Sequence, residues 1–273
     1  MAVIGIDLGT TNSLACVWKD NKTVLIPDAT GDVLTPSVVS IDKNEELLVG
    51  KAAKECLISK PEQTVCKFKR FMGTDKKYRI GRKVYTPEDL SAMVLRKLKR
   101  DAEIYLGEEV TEAVISVPAY FNNEQRAATR RAGQLAGLKT ERLVNEPSAA
   151  ALACQTFYPE DEATFLVIDF GGGTLDVSLV ECFEQIVNIL AVSGDNHLGG
   201  IDFDIAIAEH FCKENRIDFK ELSAQRREII LKSAELAKIA LTEKEEAEMK
   251  VRWGTETLTL DLSREGLIRI AAP

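Results

Sequence analysis

Histidine is nearly missing from this chain, which has only His197 and His210, and its six cysteines (Cys16, Cys56, Cys66, Cys154, Cys182 and Cys212) never form a C-x-x-C pair. That spacing argues against both a zinc site and a disulfide framework. Cys16 and Cys154 read as small core residues. No apolar run approaches the ~20 residues that span a bilayer, and no basic segment followed by an apolar one opens the sequence. Positive charge in excess is also lacking: 35 Lys and Arg face 43 Asp and Glu, a formal net charge of −8. This balance lacks the electrostatic footprint of a binder of nucleic acid or anionic membrane. The absences together lead us to expect a reduced, cytoplasmic protein that engages neither nucleic acid nor membrane.

What is present is enough apolar material for a large core, 45% of 273 residues, near the size at which one core gives way to two. β-Branched runs at Val3-Ile6, Val38-Ile41, Val114-Val117, Leu143-Val144, Phe165-Ile168 and Val187-Val192 read as strands, many buried on both faces. Thr86, Pro87 and Asp89 form a helix start, with Leu90, Val94, Leu98 and Ala102 recurring on one face until about Gly107. Asn122 with Gln125 marks a second start, and the glycine of Ala136-Gly137-Leu138 its end. Strands alternating with helices imply α/β layers.

The most informative feature is a repeat. Ile6-Asp7-Leu8-Gly9-Thr10-Thr11 returns as Ile168-Asp169-Phe170-Gly171-Gly172-Gly173-Thr174, each copy following an apolar strand and preceding a second one, Ser13-Trp18 or Leu175-Val180. Each reads as a β-hairpin with an acid at its mouth and small residues in its turn. Two related lobes would present them across a cleft. Polyphosphate needs backbone N–H groups that nothing shields, which Gly9-Thr10-Thr11-Asn12 and Gly171-Gly172-Gly173-Thr174 supply. Magnesium keeps several waters while one or two carboxylates and phosphate oxygens hold it, which suits Asp7, Asp169 and Asp176. For a single copy, acids that cap turns and glycines that close hairpins would suffice as an explanation; the repetition favours the phosphate reading.

At these residues the chain resembles the nucleotide-binding domain of the DnaK-type heat-shock chaperones. Gly5-Ile6-Asp7-Leu8-Gly9-Thr10-Thr11-Asn12-Ser13 is similar to that family's first phosphate loop, and Asp169-Phe170-Gly171-Gly172-Gly173-Thr174-Leu175-Asp176 to its second. Three more blocks match in order: Ser116-Val117-Pro118-Ala119-Tyr120-Phe121, Val144-Asn145-Glu146-Pro147-Ser148-Ala149-Ala150-Ala151, and Gly194-Asp195-Asn196-His197-Leu198-Gly199-Gly200. Val17-Trp18-Lys19-Asp20 and Phe68-Lys69-Arg70-Phe71-Met72-Gly73 lean toward the HscC-like branch.

The resemblance implies a duplicated α/β fold of the actin, sugar-kinase and DnaK type, with two lobes around a nucleotide cleft. Lobe I would cover residues 1–160, with an insertion subdomain at about 36–90, and lobe II residues 161–273. It implies a magnesium-dependent ATPase that gates peptide binding in the intact chaperone. ATP or ADP and Mg2+ would be the cofactors, with K+ as a further ion.

The catalytic group would comprise Lys69, Glu146, Asp169 and Thr174, with Lys69 positioning or deprotonating the attacking water and Glu146 reaching the metal through water. Gly199, Gly200, Glu235 and Lys238 would join the two loops in holding nucleotide, Glu235 on the ribose and Lys238 against adenine. Ile239 replaces a stacking arginine of some members. Pro118 and Arg126 would relay nucleotide state, Arg142, Asn145 and Ser148 would receive a J-domain co-chaperone, and a nucleotide-exchange factor is a further partner. Taken without the resemblance, Lys67, Lys69 and Arg70 are a solvated basic cluster, Glu146 complements a helix dipole, Glu235 and Lys238 are a helical ion pair, and Arg142, Asn145 and Ser148 are a solvated edge.

The resemblance stops at Pro273, before the family's second adenosine motif and the rest of lobe II, so lobe II is expected to be incomplete and the chain by itself a weak ATPase with open strand edges. Two other functions share the hairpins. A small-molecule kinase would need a carboxylate base for an acceptor hydroxyl, for which no motif is seen, and an actin-like filament former would need complementary ends.

Overall fold

A computed structural model describes residues 2–41, 44, 46–157, 162–183, 186–195 and 197–272. Asn196 and the expected lobe boundary at 160/161 lie outside the described residues.

The chain opens with three antiparallel strands, β1 (Ala2–Leu8), β2 (Asn12–Lys19) and β3 (Lys22–Leu25). The short β4 (Thr35–Pro36) then pairs with the start of β2. A second sheet follows from β5 (Val38–Ile41), β6 (Leu47–Val49) and, after helix α1 (Lys51–Ser59), β7 (Thr64–Cys66), with β5 in the middle. A 3-10 turn at Phe68–Phe71 and the hairpin of β8 (Tyr78–Ile80) and β9 (Lys83–Tyr85) lead into α2 (Pro87–Leu106). These sheets occupy the stretch read as an insertion, yet Val39, Ile41, Phe68, Met72 and Ile80 share one hydrophobic cluster with Ile4, Ile6 and Leu8 of β1.

Helix α2 starts and stops where its residue types require. Thr86 Oγ1 accepts from Asp89 N at 3.2 Å while Asp89 Oδ2 accepts from Thr86 N at 2.8 Å, so two N–H groups that the first helical turn leaves unpaired are satisfied. Gly107 closes the helix with φ 70°, a conformation that costs other residues about 1 kcal/mol or more. Leu90, Val94, Leu98 and Ala102 are buried on the face turned to the sheet. Strand β10 (Val110–Val117) runs parallel to β1, and after α3 (Asn123–Leu135), capped by Asn122 and Gln125, β11 (Leu143–Asn145) runs parallel to β10. Gly137, past the end of α3, has φ 76°. The first sheet is therefore ordered β11-β10-β1-β2-β3.

Helix α4 (Glu146–Phe157) leads to a three-stranded antiparallel sheet of β12 (Glu162–Phe170), β13 (Leu175–Phe183) and β14 (Ile186–Asp195). Helices α5 (Gly200–Glu214) and α6 (Ala224–Ala240), the hairpin of β15 (Glu246–Trp253) and β16 (Glu256–Ser263), and α7 (Arg264–Ala271) complete the chain. Their core gathers Ile207, Phe211, Ile230, Ala234, Met249, Val251 and Leu262. This cluster is distinct from the one around β1.

One expectation needs correction. Burial on both faces holds for β5, all four residues of which are buried, but not for β1 or β12. Val3 of β1 is exposed next to the buried Ile4, and on β12 Leu166 and Ile168 are 63% and 62% exposed. Antiparallel hairpins need only one covered face, and apolar content alone does not show which strands are covered on both. Among the described residues no helix is long and apolar enough to cross a membrane.

Candidate functional site

The sequence repeat is also a repeat of geometry. In the β1/β2 hairpin Asp7 pairs with Leu14 and Leu8 with Ser13; in the β12/β13 hairpin Asp169 pairs with Asp176 and Phe170 with Leu175. The register is the same in both, so each acid sits two residues before a small-residue tip.

The tips touch each other. A Cβ placed on Gly172 would collide with Thr11 Oγ1, and one on Gly173 would lie 2.7 Å from both Thr10 Cγ2 and Arg70 Nε. The start of α5 closes the third side. Gly200 N donates to Gly171 O at 3.1 Å and Ile201 N to Gly172 O at 2.9 Å, and a Cβ on Gly199 would lie 2.5 Å from Gly173 N. Gly172, Gly173 and Gly199 are therefore required where backbone meets backbone or the opposite hairpin. These contacts by themselves call for glycine, whatever the loops hold.

Asp7, Glu146 and Asp169 line one cavity of about 370 Å³, with Ser116, Leu14 and Cys16. Ser116 Oγ donates to Asp7 Oδ1 at 2.9 Å. Lys69, on the 3-10 turn, is 9% exposed; its Nζ lies 3.0 Å from Glu146 Oε1 and 5.8 Å from the centre of the Phe121 ring. Burial pushes the Lys69 pKa down, but Glu146, Asp7 and Asp169 outweigh it and hold it above the ordinary lysine value. A lysine so held keeps its proton and has no lone pair with which to take another. Burial, partly opposed by Lys69, raises the Glu146 pKa.

Asp176 is the most costly carboxylate in the group. It faces Asp169 directly across the hairpin, an arrangement that like charges disfavour. Both of its oxygens are buried without an aligned hydrogen bond. Burial first, then Glu146 and Asp169, push its pKa up to about 6, although the Thr174 hydroxyl eases the charge. Tyr120 stands beside the same acids, and burial with Asp176 pushes its phenol up to about 12. Among the described residues no three His, Cys, Asp or Glu side chains converge to form a metal cage by themselves. The carboxylates fit a cation that draws only part of its shell from protein, as magnesium does.

The residues expected to hold the nucleoside lie apart from this cluster. Glu235 lines a cavity of about 500 Å³ with Thr10, Thr11 and Lys54. It accepts from Lys54 Nζ at 3.0 Å and Lys232 Nζ at 3.1 Å, and despite burial those partners hold it below the ordinary glutamate value. Lys238 donates to Gly200 O and pairs with Asp204 Oδ1, both at 2.6 Å, so it braces the start of α5. The simple Glu235–Lys238 ion pair is not formed; each has another partner. Ile239 is exposed.

Arg126 donates to Phe121 O at 2.9 Å, Ala119 O at 3.2 Å and Asn145 Oδ1 at 2.8 Å, tying the buried Pro118 segment to β11. Arg142 is exposed and Ser148 half-buried.

Sequence reasoning gave no role to Lys54, Ser116 or Asp202. Only Asp202 left a signal: it stands three residues after Gly199 and accepts its N–H at 2.8 Å, the spacing of a helix-capping pair.

The arrangement is that of two like hairpins whose tips are in contact and whose acids Asp7 and Asp169 line one cavity, and the comparisons agree in class. The sequence matches the family described as Hsp70 protein over residues 3–272, and the chain belongs to that family. It is 49% identical over 254 residues to the chaperone protein DnaK of Thermotoga petrophila, 48% to that of Thermotoga neapolitana and 49% to that of Thermotoga maritima. Each comparison covers 91% of this chain but 42% of the relative, so the match spans less than half the length of those proteins.

Proposed function

We propose that this chain is the ATP-binding and ATP-hydrolysing part of a molecular chaperone, and that its nucleotide state gates the capture of unfolded peptides by the longer protein. The observation that carries this reading is the pair of hairpins in identical register, with their glycine tips in contact and the Lys69–Glu146 pair beside their acids. The two halves would act as lobes I and II around the nucleotide. Gly9, Thr10, Thr11, Asn12, Gly171, Gly172, Gly173, Gly199 and Gly200 would offer N–H and hydroxyl groups to phosphate oxygens of ATP or ADP. Asp7, Asp169 and Asp176 would hold Mg2+, with K+ as a further ion, through water and phosphate. Magnesium when bound supplies charge neutralisation and orients the phosphates.

Protonated Lys69 would place positive charge and N–H donors where phosphoryl charge develops, and Glu146 would orient water and hold Lys69 in line. Thr174 would donate toward Asp176 and phosphate. Glu235 would serve the ribose, and Lys238 would act by bracing α5. A J-domain co-chaperone would meet Arg142, Asn145 and Ser148, a nucleotide-exchange factor would open the cleft, and Pro118 with Arg126 would relay nucleotide state. Steady-state and single-turnover hydrolysis with [γ-32P]ATP test the reading. Mg-dependent release of phosphate that Asp169→Asn abolishes is expected, and a chain that binds no nucleotide contradicts it.

A further inference from the structure

Arg70 has no role in the account above, and its surroundings give it one. It follows Lys69 on the 3-10 turn and its side chain is only 11% exposed. Its two terminal nitrogens fork onto Asp202, at 3.3 Å to Oδ1 and 2.6 Å to Oδ2. The third donor, Nε, is buried and donates to no acceptor. Leaving such a donor unpaired is unfavourable, because it gives up its water without gaining an acceptor.

The position of that N–H is specific. A Cβ on Gly173 would come within 2.7 Å of Arg70 Nε and 2.7 Å of Thr10 Cγ2, so Nε stands where the tips of both hairpins meet. Its direction is fixed as well, because a guanidinium is planar and anchoring two corners aims the third. Asp202 is itself held by Gly199 N at 2.8 Å. A chain of bonds thus runs from the first turn of α5 through Asp202 to Arg70 and holds one unpaired N–H donor beside Gly173 and Thr10.

We infer that Arg70 Nε is a donor to the terminal phosphate of a bound nucleoside triphosphate, which lets the chain distinguish triphosphate from diphosphate. The inference rests on the nucleotide reading above. The terminal phosphate is the one indicated because Arg70 directly follows Lys69, the residue that the nucleotide reading sets beside the developing phosphoryl charge. The competing account is a tether: Arg70 joins the two halves through Asp202 and nothing more.

Calorimetric titration of MgATP and MgADP into the chain and into Arg70→Lys separates the two. Lysine keeps the charge but loses the fork and Nε. The phosphate role predicts that MgATP affinity falls roughly tenfold or more while MgADP affinity changes by less than about threefold, a difference expected of one charge-assisted hydrogen bond. Asp202→Asn, which loosens the aim of Nε, should lower the ATP-to-ADP ratio in the same direction by a smaller factor. Equal losses for both nucleotides, or none, overturn the assignment and leave the tether. Should Arg70→Lys fail to melt cooperatively, Arg70→Gln gives the same comparison. If the parent chain binds neither nucleotide, the nucleotide reading fails and the Arg70 role with it; if the parent binds both and the ratio is unmoved in the variants, only the Arg70 role fails.

Discussion

Asp176 is a residue whose charge opposes folding. Its folded pKa of about 6 lies above the ordinary 3.8, so the folded chain binds this proton more tightly than the unfolded one. The sign follows: the penalty is full above about pH 6 and is relieved as pH falls toward 4. Two units correspond to at most roughly 3 kcal/mol. Asp176→Asn should therefore stabilise the metal-free chain by ~1–3 kcal/mol at pH 7.5 and by less at pH 5, and it should weaken magnesium-dependent nucleotide binding. Urea denaturation at both pH values with a parallel titration checks this; a variant that is less stable at neutral pH would remove the argument for a waiting cation. Lys69 is predicted to act on rate. Lys69→Ala should slow single-turnover hydrolysis by ~100-fold or more and change MgATP affinity far less, because its charge matters most as phosphoryl charge develops. Rates near those of the parent would make Lys69 a structural partner of Glu146 alone.

Among the elements, caps and glycines do different work. Thr86→Ala removes one hydroxyl from the start of α2 and should cost about 1 kcal/mol of stability with nucleotide affinity unchanged, as paired melts and titrations would show. Gly199→Ala meets the backbone of Gly172 and Gly173, which no rotamer change can relieve. It should impair nucleotide binding as well as folding, and an unaffected titration would mean that the start of α5 does not shape the site. Helices α2 and α3 were legible because Thr86 with Asp89 and Asn122 with Gln125 are local signals, each complete within four residues. The exposure of Leu166 and Ile168 was not legible in the same way, because covering a strand face depends on distant elements, which a run of apolar residues does not encode.

Across the whole molecule the two halves are joined by contacts between residues far apart in sequence. Lys54 reaches Glu235 over 181 positions and Arg70 reaches Asp202 over 132, and no local pattern predicts either. Asp7, Asp169 and their tips could be found because the repeat marks them twice, whereas Lys69 and Glu146 were singled out by family resemblance and only the fold shows them 3.0 Å apart. The Lys54–Glu235 pair is partly exposed, so its contribution is modest, up to ~1 kcal/mol. Lys54→Ala should speed nucleotide release by ~2–5-fold in stopped flow, and unchanged release would confine the pair to the surface.

The central claim is that both hairpins together hold a magnesium nucleotide, and calorimetric titration of ATP with magnesium and then with EDTA tests it most directly. One saturable site per chain is predicted, weakened ~10-fold or more when the metal is removed and again by Asp169→Asn. Absence of binding, or one affinity under all three conditions, would contradict it.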